Sequence, residues 1–227
     1  MIFQAVPILD KMLELYKMPL SRERFNNYIS MLQGNSKGDL ELPISGYNPM
    51  AKEHINQKIV ELQELNAEEI VKNTLDDINQ SKPSNTGKII KVVINIADDL
   101  KGGWTNHYTT DFDSKFKLNA LVERNFCTPY FWSSENYSEE LIIARTKEYA
   151  FRTVYWKNNP KLETLKDYVN QERFVQSNVN QRIENSSDDF LVLKMYFDEY
   201  QNSDDYNRIF NFFYGDAICE KLNYVLY

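Results

Sequence analysis

Cysteine, histidine, glycine and proline are all scarce in this chain of 227 residues, which has 2 Cys, 2 His, 7 Gly and 7 Pro. The two cysteines, Cys127 and Cys219, are too few and too far apart for a disulfide framework or a zinc cluster. So little glycine and proline excludes collagen-like and low-complexity organisation and favours long continuous elements. We therefore expect a folded, mostly helical protein with two buried free thiols.

Long hydrophobic runs are also missing. No window approaches the roughly 18 apolar residues that span a bilayer. The first seven residues have no basic region, and their short apolar run gives way to Asp10-Lys11 without a small-residue cleavage site. These features predict a soluble, cytoplasmic protein with no membrane association.

The chain has no excess positive charge to offer a nucleic acid, since it contains 26 Lys and Arg against 33 Asp and Glu and its net charge is −7. Phosphate-backbone binding requires clustered basic side chains, so DNA and RNA binding are disfavoured. The acidity would suit a basic protein partner, although modest negative charge is also an ordinary property of soluble proteins.

Motifs that name a cofactor or a nucleophile are absent as well. There is no glycine-rich dinucleotide fingerprint and no Walker-type lysine motif, and neither cysteine lies in a catalytic signature. The sequence therefore leaves any cofactor unidentified.

What the sequence does contain is periodic hydrophobicity with clear boundaries. In the first third, apolar spacing of three and four residues predicts four helices. Ser21 is expected to cap the second helix and Gly34 to end it. Asn48-Pro49 is expected to begin the third helix, and Asn66 with Glu69 resembles a capping box for the fourth.

Residues 81–87 consist of turn-forming residues with no apolar anchor, which predicts a loop. We interpret it as a loop within one domain, residues 1–227, because the helical segment formed by residues 1–80 would have only a small core of its own. Whether this loop is a hinge is left open.

The middle third alternates between apolar and polar residues as strands do. Ile89–Asp98, His107–Phe116 and Leu118–Phe126 predict a small antiparallel meander within residues 88–131, although the third run also fits a helix. From Ser138, a helix cap, the pattern is helical again over residues 138–227. The predicted fold class is α+β: a mostly helical single domain with a small antiparallel β-meander in the middle of the chain.

The most unusual local sequence is Gly102 to His107, Gly-Gly-Trp-Thr-Asn-His. A glycine pair in so glycine-poor a chain indicates special backbone requirements beside unusual side chains. Trp104 could stack on a ligand, Asn106 could donate or accept hydrogen bonds, and His107 could transfer protons. We predict a functional site at this loop, with His107 as its candidate catalytic residue.

Metal binding by the same region is less well supported. His107, Asp111 and Asp113 share one face of the predicted second strand, yet about 13 Å would separate His107 from Asp111 along it. A metal site would need His107 to fold back from the loop, or Asp98, Asp99 or the distant His54 to contribute, and a capping or packing role is the simpler interpretation of His54. No metal ligand is therefore assigned.

Three arginines could complete an anion-binding pocket. Arg145 and Arg152 fall on one stripe of the helix that follows Ser138, and Arg124 would face inward if it lies in a strand. A buried guanidinium needs an acidic partner, which could be Glu123, Glu135, Glu148 or a bound carboxylate or phosphate.

Three classes of function follow. The first is a small-molecule binder or enzyme for an anionic ligand, with Trp104, Asn106, Arg124, Arg145 and Arg152 as ligand-binding residues and His107 as the catalytic one. The second is an acidic recognition or immunity-type protein that covers a basic partner. The third is a metal-assisted hydrolase that uses Asp98, Asp111, Asp113 and a histidine. The unusual glycine-loop tryptophan and an inward arginine favour the first.

Overall fold

A computed structural model of the chain describes residues 1–36, 38–44, 46–81, 87–100, 102–117, 119–159, 161–179 and 188–227. Helices predominate over short strands, as the composition predicts. None of the helices in these ranges is long and apolar enough to cross a membrane. The predicted loop at 81–87 lies outside the described residues except for its two ends.

Eleven helices are present in the described portion of the chain. Ser21 accepts a hydrogen bond from the backbone N–H of Arg24, and Ser138 accepts one from that of Leu141, so both predicted caps are confirmed. The helices are α1 (Leu9–Lys17), α2 (Arg22–Gln33), α3 (Glu53–Glu64), α4 (Ala67–Ser81), α5 (His107–Phe116), α6 (Asn119–Glu123), α7 (Glu139–Asn158), α8 (Leu165–Val179), α9 (Asp188–Tyr200), α10 (Tyr206–Tyr214) and α11 (Asp216–Leu222).

Two helix starts differ from prediction. The third helix begins at Glu53 rather than at Asn48-Pro49, because Asn48 uses its side chain to accept from the N–H of Met50 in a turn. Asn66 does not cap α4 with its side chain. It has a φ of 55°, a left-handed conformation that asparagine tolerates, and it reverses the chain between α3 and α4.

The predicted antiparallel meander is wrong, because all pairings of described strands are parallel. The first sheet has the order β1 (Ile2–Ala5), β2 (Ile89–Val92), β4 (Phe126–Cys127), and the second pairs β3 (Asn95–Ala97) with β5 (Tyr130–Trp132). Parallel neighbours need long crossover connections, and helices supply them here. Helices α1–α4 connect β1 to β2, and α5 and α6 connect β3 to β4.

The two sheets form one bent ladder. The N–H of Val93 donates to the carbonyl of Cys127 at 3.1 Å, and that of Asn95 donates to Pro129 at 2.9 Å, so the ladder continues across the gap between the sheets. Pro129 has no N–H to give, and strand pairing is interrupted there. The predicted strand at 89–98 is therefore two short strands with a bend between them.

Residues 107–116 form helix α5 rather than a strand. The side chain of Asn106 accepts from the N–H of Thr109 and caps this helix. Phe112 and Phe116, four residues apart, both point into the core, whereas a strand would have needed every second side chain there. The third predicted strand contains the short helix α6 instead, which leaves Arg124 in the turn that follows it.

Two hydrophobic clusters fill the interior of the described structure. The larger one surrounds the strands: α4 packs against β1, and α7 packs against both α4 and β4. The smaller one is rich in aromatic residues and lies among α5, α8, α10 and α11. Since β3 and β5 are parallel neighbours, their carboxyl ends emerge side by side.

Candidate functional site

The chain places polar residues directly after two neighbouring parallel strands. Asp98 and Asp99 follow β3, and Ser133 and Ser134 follow β5. Ala97 pairs with Trp132 in the sheet register, and the N–H of Ser133 donates to the Ala97 carbonyl at 3.0 Å. The four polar side chains therefore meet at one sheet edge. In parallel sheets the carboxyl ends of strands are where ligands bind.

Both histidines of the chain point into this cluster, one toward each aspartate. Nδ1 of His107 lies 2.6 Å from Oδ2 of Asp99, and Nε2 of His54 lies 2.9 Å from Oδ1 of Asp98. We call these six side chains (His54, Asp98, Asp99, His107, Ser133 and Ser134) the dyad site.

Asp99 is an ionised hydrogen-bond acceptor at the centre of the dyad site. The backbone N–H of Ser134 donates to its Oδ1 at 3.0 Å, and the Ser134 hydroxyl donates to its Oδ2 at 2.7 Å. Burial by itself would raise the pKa of Asp99, but the hydrogen bonds from Ser134, His107 and Ser133 outweigh it and lower the pKa below 3.8. Asp99 thus carries a full negative charge at neutral pH.

The charge on Asp99 determines the tautomer of His107. An ionised carboxylate only accepts hydrogen bonds, so Nδ1 of His107 carries the proton that points at Asp99. In the neutral ring Nε2 is then the basic nitrogen. It has no hydrogen-bond partner among the described residues, and the side chain is 35% exposed. The His107 ring packs on Trp132, with centroids 4.3 Å apart, which holds the imidazole in place.

The second pair is built differently. Asp98 is 1% exposed, and its Oδ1 lies 2.8 Å from the Ser133 hydroxyl. Nε2 of His54 is buried and close to the same oxygen, but its direction does not satisfy hydrogen-bond geometry. The His54–Asp98 contact is therefore an ion-pair distance rather than an aligned hydrogen bond. The well-oriented dyad is His107–Asp99.

The glycine pair is needed for close approach to Asp98. Gly102 has a φ of 82°, which only glycine adopts without strain. A Cβ on Gly103 would collide with the backbone carbonyl of Asp98, and the same carbonyl accepts from the N–H and hydroxyl of Thr105. The loop thus folds tightly over Asp98, and it places His107, the first residue of α5, against Asp99.

The predicted ligand-binding residues do not meet at one place. Trp104 donates through its indole N–H to the carbonyl of Gly46 at 3.3 Å, and Asn106 caps α5. The three guanidiniums bind different carboxylates. Arg124 is half exposed and contacts Asp39, Arg145 contacts Glu135, and the fully buried Arg152 contacts Glu172 and Glu148.

Arg145 nevertheless stabilises the chain next to the dyad site through its ion pair with Glu135. Its guanidinium donates to both carboxylate oxygens of Glu135, at 2.8 and 3.1 Å, and the same carboxylate accepts from the backbone N–H of Trp132. Burial alone would lower the pKa of Arg145, but the bonds to Glu135 raise it, so the guanidinium is charged. These bonds hold Trp132, the last residue of β5, in place, and Ser133 and Ser134 follow it directly.

Of the carboxylates considered for a metal site, Asp98 and Asp99 belong to the dyad site, whereas Asp111 and Asp113 are bound elsewhere. Asp111 lies on α5 and contacts Lys115 and the hydroxyl of Tyr214, whereas Asp113 is exposed and pairs with Lys117. No group of three or more His, Cys, Asp or Glu side chains in the described ranges could hold a metal ion.

The sequence analysis singled out His107, but it named Asp99 only as a possible metal ligand and not as the hydrogen-bond partner of His107. The grouping of Asp99 with Ser133 and Ser134 became visible only with parallel strands, since Asp-Asp and Ser-Ser each follow an apolar strand directly. That pattern was present in the sequence. Comparisons with family models, with curated proteins and with solved structures give no match, so the site is interpreted from its own geometry.

Proposed function

We propose that this protein is an enzyme that uses His107 as a general base, oriented by Asp99, to activate water for hydrolysis of a small-molecule ester or phosphoester. The observation that carries the proposal is the 2.6 Å contact between His107 Nδ1 and Asp99, which leaves Nε2 as the basic nitrogen. A carboxylate bound to one ring nitrogen holds the tautomer and stabilises the imidazolium that forms when the other nitrogen takes a proton.

The serines of the site do not fit the role of nucleophile. Ser134 donates its hydroxyl proton to Asp99 and Ser133 lies against Asp98, whereas a nucleophilic serine would contact the histidine. Water is therefore the proposed nucleophile. Within the proposal, Ser133 and Ser134 position the two aspartates, and the apolar surface of Trp132 keeps the imidazole rigid.

The proposed compartment is the cytoplasm, because both cysteines are buried free thiols and nothing in the site requires an oxidising environment. An anionic ligand is also kept as a proposal, although internal carboxylates pair with the arginines first considered for it. A phosphoester would be one such ligand.

The test is hydrolysis of p-nitrophenyl acetate, p-nitrophenyl phosphate and bis-p-nitrophenyl phosphate by the full chain. We expect wild-type turnover of at least one probe, and a rate reduced about 100-fold or more in His107→Gln, since general-base catalysis contributes about 10² to 10⁴. Arg124→Ala, which changes a half-exposed side chain paired with Asp39, is the matched control and should leave the rate unchanged.

A second readout is independent of the substrate. With only two histidines, the ring ¹⁵N signals of each can be assigned by removing the other. We expect His107 to be protonated at Nδ1 when neutral, and Asp99→Asn to shift that ring toward the other tautomer. Equal rates in wild type and His107→Gln, or an Nε2-protonated His107 in the wild type, would refute the proposed role.

A further inference from the structure

A cavity of about 440 Å³ lies between the end of α1 and the start of α3, and none of the six side chains of the dyad site lines it. Its volume is within the range of small-molecule sites. The cavity is lined by one acidic side chain, Glu53, and three basic ones, Lys17, Arg24 and Lys52. Arg24 is the informative residue because it is only 3% exposed.

Arg24 is a buried cation with no carboxylate partner in the described portion of the chain. Its Nη1 donates to the carbonyls of Tyr16 and Met18 at 3.4 and 3.2 Å, and its Nη2 donates to that of Ala51 at 3.1 Å. Those bonds use at most three of the five N–H groups of a guanidinium. Nε is buried and has no partner among the described residues.

Arg152 is also a buried arginine, but unlike Arg24 it has carboxylate partners. Arg152 is 1% exposed, and Glu172 receives it in a bidentate pair at 2.6 and 2.9 Å. Arg24 instead has carbonyls, the ring of Tyr16 at 4.7 Å, and an open cavity. Arg24 caps the last carbonyls of α1, which favour a cation but carry no full negative charge. The charge of Glu53 also attracts Arg24, but burial outweighs that attraction and lowers the pKa of Arg24, so an anionic group in direct contact with the guanidinium would stabilise it.

A further feature points to the same ligand chemistry. The cavity reaches the N-terminus of α3, a helix of 12 residues whose N-cap, Lys52, makes no side-chain capping bond. The first-turn N–H groups and the helix dipole there favour an anion. Asn56 also lines the cavity, and its side-chain oxygen is buried without a partner in the described ranges.

We propose that this cavity binds a small oxyanion, a carboxylate or a phosphate group, through Arg24 and the N-terminus of α3. The guanidinium offers its remaining N–H groups to the anion oxygens, and Lys17 and Lys52 attract the anion from solvent. Another cavity, about 430 Å³ at the end of β1, offers no such cation, because its one basic side chain, Lys72, is paired with Glu69.

The test is a thermal-shift titration of the full-length protein with sodium phosphate and with sodium acetate, against sodium chloride at matched ionic strength. We expect a saturable rise in Tm with at least one oxyanion, about 3 to 6 °C at ten times its Kd. The anion that gives the tighter response identifies the head group as phosphate or carboxylate.

Variants then show which site produces the rise in Tm. Arg24→Met should abolish it, and Arg124→Ala, a change at a surface arginine, should preserve it. If Arg24→Met does not fold, Asn56→Asp serves instead, because a carboxylate placed in the cavity should weaken binding of the oxyanion about tenfold or more. His107→Gln should leave the response intact, which separates this site from the dyad site.

Two results would overturn the proposal. One is a wild-type protein whose Tm follows ionic strength alone. The other is an oxyanion response that is the same in wild type and in Arg24→Met or Asn56→Asp.

Discussion

The carboxylate of Asp99 keeps its charge in a nearly buried position because donors surround it. Its side chain is 3% exposed, and the hydrogen bonds from Ser134, His107 and Ser133 lower its pKa from the ordinary value of 3.8. A carboxylate whose pKa is lower in the folded state stabilises the fold above its unfolded pKa. That stabilisation disappears as the pH falls through the lower, folded value.

Asp99→Asn should therefore destabilise the protein at pH 7 by about 1–3 kcal/mol, because an amide replaces a charged acceptor. The variant should also lose some of the acid sensitivity of the wild type below about pH 4. Urea unfolding measured from about pH 7 down to about pH 3 tests both effects. Ser134→Ala, which removes one donor, should cost less and keep most of the acid sensitivity. Parallel unfolding curves for wild type and Asp99→Asn at every pH would contradict this account.

At the scale of single residues, the sequence predicted the features that depend on neighbouring residues alone, such as helix caps and glycine turns. Ser21 and Ser138 cap helices as predicted, and Gly102 has the positive φ expected of the glycine pair. The pairing of His107 with Asp99 was not predicted although both residues were named, because the contact depends on how the loop folds over Asp98. Arg24 carried no local signal at all, since its burial is a product of tertiary packing.

At the scale of elements, helices were predicted better than strands. Residues 107–116 contain Tyr, Thr and Phe, which favour strands, and their alternation fits a period of two. The cap at Asn106 and the packing of Phe112 and Phe116 select the helix instead. Strand direction was not encoded locally. Parallel pairing depends on the crossover helices, and with the wrong direction the two polar strand ends could not be brought together.

Helices α7 and α8 are joined by a buried ion pair. Arg152 on α7 donates to Glu172 on α8 at 2.6 and 2.9 Å. Burial alone would lower the pKa of Arg152 and raise that of Glu172, but their attraction outweighs burial and moves each pKa in the opposite direction. Both side chains are therefore charged, and each neutralises the other.

Arg152→Met should destabilise the protein by about 3–5 kcal/mol, because it leaves the largely buried Glu172 without its partner. Arg124→Ala should cost less than about 1 kcal/mol, since the pair with Asp39 is half exposed and surface pairs contribute little. Chemical unfolding followed by circular dichroism compares the two. The double variant Arg152→Met, Glu172→Gln should recover some of the loss. Equal stability of the two single variants would show that the α7–α8 pair does not stabilise the fold.

At the scale of the whole molecule, the two hydrophobic clusters raise the question of cooperativity. Cys127 lies in the cluster around the strands, and Cys219 lies in the aromatic cluster of α5, α8, α10 and α11. Both thiols are buried. Burial raises the pKa of Cys127 to about 12, so almost none of it is thiolate at neutral pH. Each thiol therefore reports on the opening of its own cluster.

If the chain unfolds as one unit, as we predict for residues 1–227, both thiols should become reactive at the same urea concentration. Pulse labelling with iodoacetamide at each urea concentration, read by mass spectrometry of the two cysteine peptides, measures this directly. We expect coincident labelling midpoints that match the circular-dichroism transition, because α7 and α8 contribute residues to both clusters and pack against each other. Labelling of Cys219 at clearly lower urea than Cys127 would instead mean that the aromatic cluster unfolds separately, while the strands and the dyad site remain folded.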